Sequence, residues 1–211
     1  MRVVAKNILA DYIRQNPRRK GTILSWLKFM RAADCENHMR LEDEFPSAES
    51  AGGNRFIFTM RRLGSLRSEI PPGAFCGNKE YIARTIAKCQ IAALVNFAAQ
   101  VAIVEFAGTS SQYQKFAATK SAPQAKNNGS EYASAMGEIR TLMLKPTLEG
   151  AEIERLKSLA EFADKFEKTA FPLPQPEPEH LVKFIMDQNG WSRYDLPNIV
   201  AAANNSGQFY Y

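Results

Sequence analysis

The chain has 211 residues, 45% of them hydrophobic, with 27 Lys+Arg against 22 Asp+Glu, enough to bury one large core or two small ones. Cys35, Cys76 and Cys89 have no CxxC spacing and follow no signal peptide, which sets aside a disulfide scaffold and a metal site and suits reduced thiols in a cytoplasmic protein. The longest apolar stretch, 91–108, contains Asn96, Gln100 and Glu105, so two core strands fit it better than a membrane span.

In chain order, Met1 to Ala5 is short and apolar, as an edge strand is. Ile8, Tyr12 and Ile13 then recur at helical spacing until Asn16-Pro17 stops the helix. Ile23, Trp26, Leu27, Met30 and Ala33 form one apolar face of a second helix, in which Trp26 reads as core. Asn54 to Thr59 is rich in aromatic and β-branched residues and predicts a strand, as does Ala102 to Phe106, which Gly108-Thr109 ends. Between them, Glu80 to Phe97 favours helix at its front and strand at its back.

Lys120 to Ser130, with Pro and Gly among polar residues, predicts a linker. Two amphipathic helices follow, one with the stripe Tyr132, Met136, Ile139, Met143 and the other with Ile153, Leu156, Ala160, Ala163, Phe166. Alternating prolines from Pro172 to Pro178 predict an extended strap. Leu181, Phe184, Ile185 and Gln188 restart a helix that Asn189-Gly190 caps, and Ser192 with Asp195 resembles the capping box of a next one. Two short helices about a glycine turn is how a helix-turn-helix begins.

Charge divides at the linker. Residues 1–130 hold 19 Lys+Arg and 10 Asp+Glu, net 19 − 10 = +9, whereas 131–211 hold 8 and 12, net 8 − 12 = −4. A basic half facing an acidic half suits a nucleic-acid binder carried with its own inhibitor, since the fields steer the two together.

The stretch FPLPQPEPEHLVKFIMDQNGWSRYDL, from Phe171 to Leu196, resembles antitoxins of the HigA family, and Glu138 to Lys168 is similar to the two helices that precede it there. The first half resembles the partner toxin HigB of the RelE-like ribonucleases. The matching pieces are MRVVAKNILADYIRQNP, SWLKFMRAAD, FPSA at Phe45, NRFIF at Asn54, GNK at Gly77 and FAGTSSQYQKF at Phe106. The resemblance implies an α+β fold. A RelE-like toxin domain over 1–119, with a small antiparallel sheet and two helices, is joined by linker 120–130 to an all-α antitoxin-like domain over 131–211 with a partial helix-turn-helix. It also implies a metal-independent mRNA endonuclease with no cofactor, held by its own antitoxin half and facing RNA and the ribosome. Self-association into a homo-oligomer is left open.

The chain departs from the family at several points. Arg61 to Cys76 and Glu80 to Lys88 are extra stretches around GNK, and Cys89-Gln90 stands where an aromatic and an arginine are usual. In the last strand the arginine position is Glu105, the histidine position Ser110 and the aspartate position Gln114, leaving only Tyr113. Cleavage through the ribose 2′-hydroxyl needs a proton acceptor, a proton donor and cations for the phosphorane. Arg55 and Lys79 are the candidate catalytic cations, and Tyr113 could stack on a base or donate a proton. Arg61, Arg62, Arg67 and Arg84 would extend an RNA-binding surface. Each has a plainer reading: Arg55 as a strand-edge salt-bridge partner, Lys79 as turn chemistry, the arginine cluster as a solvated loop, Tyr113 as a core residue of a short helix. Serine at position 110 neither titrates near neutral pH nor delivers a proton easily, and Glu105 opposes a phosphate. The expected outcome is a weakened nuclease, or an inert RNA-binding or scaffold protein. A DNA-binding autorepressor is disfavoured, because no Lys or Arg follows Arg193 and Pro197 interrupts the next helix.

Overall fold

The computed structural model describes residues 1–60, 88–119 and 130–191. Arg2–Val4 form β1, followed by α1 (Lys6–Gln15), a single 3-10 turn at Pro17–Arg19, α2 (Lys20–Ala32) and α3 (His38–Glu44). Then come β2 (Ala48–Ser50), β3 (Arg55–Met60), β4 (Cys89–Asn96), β5 (Val101–Thr109) and α4 (Ser110–Thr119). The acidic half supplies α5 (Ser130–Met143), α6 (Gly150–Ala170) and α7 (Pro178–Asn189).

The fold is mixed α and β: one five-stranded sheet in the order β1-β5-β4-β3-β2, with seven α-helices among the described residues. The antiparallel sheet expected from the sequence needs correction. β2, β3, β4 and β5 are antiparallel neighbours, but β1 runs parallel to β5, with Val3 opposite Ala102. A parallel pair requires a long crossover, and everything from α1 to β4 lies between these two strands. The two-helix expectation for the first half also falls short, since α3 and α4 are present as well.

Phe56, Phe58 and Met60 alternate to one face of β3, where Trp26 of α2 and Phe45 meet Phe58 edge-on at 5.3 and 5.4 Å. β4 and β5 instead bury successive residues, Ile91 to Val95 and Val101 to Glu105, as strands covered on both faces do. α6 lies against β1 and reaches β5, while α5 packs on α6 and on β4. Tyr132, Met136, Ile139 and Met143 are all buried, as are Leu156, Ala160 and Ala163, so both predicted stripes are core-facing. They belong to the same contiguous apolar cluster as Val3, Val4, Trp26 and Phe58.

Helix ends follow their local chemistry. α6 opens on a capping box between Glu149 and Glu152. α7 carries Pro178 in its first turn and ends on Gly190 at φ 67°, a left-handed position that glycine adopts without strain. It packs on α2, with Phe184 stacked on Phe29 at 5.3 Å, and Ser47 donates to Gln188 at 2.6 Å. A Cβ on Gly21 would stand 2.1 Å from the His180 ring, so any larger residue there would have to displace that ring. No helix among the described residues is long and apolar enough to cross a membrane.

Candidate functional site

Two groups of polar side chains stand out, one on the sheet and one where the two halves meet. The first forms where β5 breaks register with β4. Ala93 pairs with Val104 but Ala92 pairs with Phe106, so Glu105 is the extra residue of a β-bulge. Bulges bend a strand and re-aim a side chain. Here Glu105 turns toward β3 and accepts both forks of Arg55, Nε at 2.6 Å and Nη2 at 3.2 Å. The carboxylate is 3% exposed and the guanidinium 34%. Hydrogen bonding to Glu105 raises the Arg55 pKa above its ordinary value despite partial burial, so Arg55 is fixed as a cation.

Tyr113 joins this pair from α4. Its hydroxyl pKa is raised, first by burial, with the Arg55 charge lowering it and the Glu105 charge raising it. The ring packs edge-on against Phe106 at 5.5 Å, and Phe116 stacks on the same Phe106 at 5.2 Å. Gly108 is what admits the Phe106 ring, since a Cβ would lie 2.4 Å from its tip. α4 starts on a capping box of its own: Gln112 accepts from the Thr109 N–H at 2.8 Å, and Thr109 Oγ1 accepts from the Gln112 N–H at 3.3 Å. Ser110 is half-buried at the start of that helix, and Gln114 is exposed.

Of the site residues read from the sequence, Arg55 is in a salt bridge with Glu105, and Tyr113 packs on Phe106 in the electrostatic field of that pair. Lys79, Arg61, Arg62, Arg67 and Arg84 lie outside the described residues, as do linker positions 120–129 and the Ser192 cap with Pro197. The cluster can hold an anion only if Arg55 exchanges Glu105 for it. Tyr113 is a poor proton donor here, because its pKa moves away from neutrality.

The second group was not anticipated. Lys6 is 2% exposed and its ammonium sits 2.5 Å from Asp164 and 3.4 Å from Glu167, both on α6. Glu167, fully buried, also accepts the Ala5 N–H at 2.7 Å, the Lys6 N–H at 3.2 Å and the Tyr132 hydroxyl at 2.7 Å. Ala5, the residue before α1, has φ 64° and no side-chain cap, so the Glu167 carboxylate satisfies the opening N–H groups of that helix from the other half of the chain. Arg31 at 3.7 Å and Lys168 at 2.8 Å complete the surround of Asp164.

The two acids respond oppositely to this setting. Burial raises the Glu167 pKa, and the Tyr132 hydrogen bond, Lys6 and the backbone N–H groups only partly oppose it. Burial also pushes Asp164 upward, but hydrogen bonds from Lys168 and Lys6 bring it below its ordinary value. The signal for this group was present in the sequence: Leu156, Ala160, Ala163 and Glu167 share one helical stripe, so a carboxylate sits where an apolar residue belongs.

A concavity of about 380 Å³ between α5 and α6, walled by Glu138, Arg155 and Phe162, shares no residue with either group. Among the described residues no three His, Cys, Asp or Glu side chains converge as a metal site would require. No protein-family model matches the sequence, and no curated protein matches it.

Proposed function

We propose that the chain is a fused toxin–antitoxin-type protein, similar to HigB followed by HigA, whose basic half addresses RNA and whose cleavage chemistry is blunted. The observation that carries this reading is the Arg55–Glu105 pair beside Tyr113. Arg55 on β3 and Tyr113 on α4 influence one another electrostatically, and a buried carboxylate occupies the cation. That arrangement supports holding a phosphate and a base more than it supports moving a proton, because neither Ser110 nor Tyr113 titrates near neutrality. The acidic helices over the basic half support neutralisation within the chain, at an effective concentration that for a short flexible tether is of millimolar order.

The second reading, an inert RNA-binding or scaffold protein, draws on the same pair, since Glu105 keeps Arg55 from a phosphorane. Operator binding has less support: α7, the opening helix of the partial helix-turn-helix, is packed on α2. The test is RNA binding by the full chain and by Glu105→Gln, which frees Arg55. A charge-assisted hydrogen bond is worth roughly 1.5–3 kcal/mol, so binding should tighten about ten- to a hundredfold in Glu105→Gln and return to the starting level with Arg55→Ala added. Cleavage of ribosome-bound mRNA should appear only with Glu105→Arg and Ser110→His together, separating the nuclease reading from the inert one. RNA affinity that ignores both Glu105 and Arg55 would remove the patch from the function.

A further inference from the structure

We infer that the C-terminal helices are a structural completion of the basic half, so they cannot leave it while α1 and the sheet stay folded. A releasable inhibitor sits on a domain that already has its own core and its own helix caps, across an interface where few interactions are buried. Here the interactions run through the interior. α1 begins on Ala5 at φ 64°, with no side-chain cap and no acidic residue in its first turn. The acceptor for its opening N–H groups is Glu167, more than 160 positions away and fully buried.

Lys6, at the first position of α1, is buried with its counter-charges Asp164 and Glu167 on the other half. A buried charge of this kind demands its partners for as long as it remains buried. Tyr132 of α5 hydrogen-bonds the same Glu167 and stacks on Phe166 at 4.5 Å, so both acidic helices meet at this carboxylate. α7 makes a second attachment on α2 and at Ser47. Between the two attachments the apolar side chains of both halves form one cluster, which holds Val3, Val4 and Trp26 together with Ile139, Leu156, Ala160 and Phe184. Withdrawing α5 to α7 therefore opens the core of the sheet, and separation and unfolding become a single event. This holds whether or not the chain acts on RNA.

The test places a specific protease site within residues 120–130 of the full chain and cuts it under native conditions. The expected result is that the pieces co-elute with unchanged far-UV dichroism. A labelled, free 131–211 fragment should then exchange into the cut protein no faster than the cut protein unfolds. In the uncut chain, Glu167→Ala should raise the hydrogen-exchange rates of α1 and α6 amides together, by about tenfold or more, since a shared opening governs both. Recovery of a separate, folded 1–119 piece would overturn the inference, as would fragment exchange outpacing unfolding. Loss of protection in α6 with α1 unaffected would overturn it equally.

Discussion

Replacing Lys6 with methionine keeps most of the side-chain volume and removes the buried ammonium that faces Asp164 and Glu167 across the joint between the halves. At an effective dielectric constant of 20, attraction across the 2.5 Å and 3.4 Å contacts with Asp164 and Glu167 amounts to about 7 and about 5 kcal/mol before desolvation is subtracted. Desolvation takes back several kcal/mol for each ion, so the pair itself contributes little net stability. Lys6→Met is different, because it leaves Glu167 buried without its cation. The expected loss is about 3–5 kcal/mol, a large part of the roughly 5–15 kcal/mol that holds a typical domain folded. The further variant Lys6→Met/Asp164→Asn/Glu167→Gln should recover most of that loss, since the charges then leave together. Urea unfolding at pH 7, followed by far-UV dichroism, reads both quantities. If Lys6→Met unfolds within about 1 kcal/mol of the parent, a typical size for a point mutant, the buried charge is not held as described. If the triple variant is weaker than Lys6→Met, charge removal is the wrong account of the loss.

Acid titration should separate the two carboxylates. Asp164 is held below its ordinary 3.8, so its contribution is present above that value and fades as pH falls toward the depressed one. Glu167 is held above its ordinary 4.5, so its contribution is present below that value and is lost as pH rises through the raised one. The urea midpoint of Asp164→Asn should therefore be less sensitive to acid below pH 3.8, and that of Glu167→Gln less sensitive to alkali above 4.5; the reverse pattern would contradict the assignment. Gly21→Ala should cost about 1–3 kcal/mol by forcing the His180 ring aside, whereas in a His180→Ala background it should gain up to about 1 kcal/mol of helix propensity; equal effects in the two backgrounds would show that the ring is not the obstacle. Burial pushes the Cys35 thiol up to about 11 and raises Cys89 as well. A Cys76→Ser chain should thus react with a thiol reagent at pH 8 only once denaturant is added, and prompt native labelling would argue against both placements.

What the sequence made legible was periodicity. Trp26, Leu27 and Met30 announced α2, Asn189-Gly190 announced the end of α7, and the Tyr132 and Leu156 stripes announced two helices whose apolar faces needed a partner. α3 escaped notice because it is seven residues long and buries only Leu41, and β2 because three residues carry no alternation. α4 was underread: Thr109-Ser-Ser-Gln112 is a capping-box pattern, yet the helix buries no residue fully. For the site, Glu105 was legible as an anomaly of composition. Its pairing with Arg55 was not, because that depends on the bulge between Val104 and Phe106, which no local pattern marks. The parallel β1–β5 pairing likewise joins segments about a hundred positions apart, with nothing in either that encodes direction.

Among the described strands, the two outermost of the sheet, β1 and β2, are each three residues long, whereas β4 at its centre runs to eight. β2 also points Glu49 and Ser50 into solvent. A neighbouring molecule that tried to extend the ladder would find too few unpaired peptide groups to grip, and on one side a carboxylate among them. The apolar run of β4 is thus kept inside the sheet, between β3 and β5, while β1 covers β5 only from Val101 to Ile103. Under crowding and high expression, strand addition at the β2 edge should therefore be disfavoured.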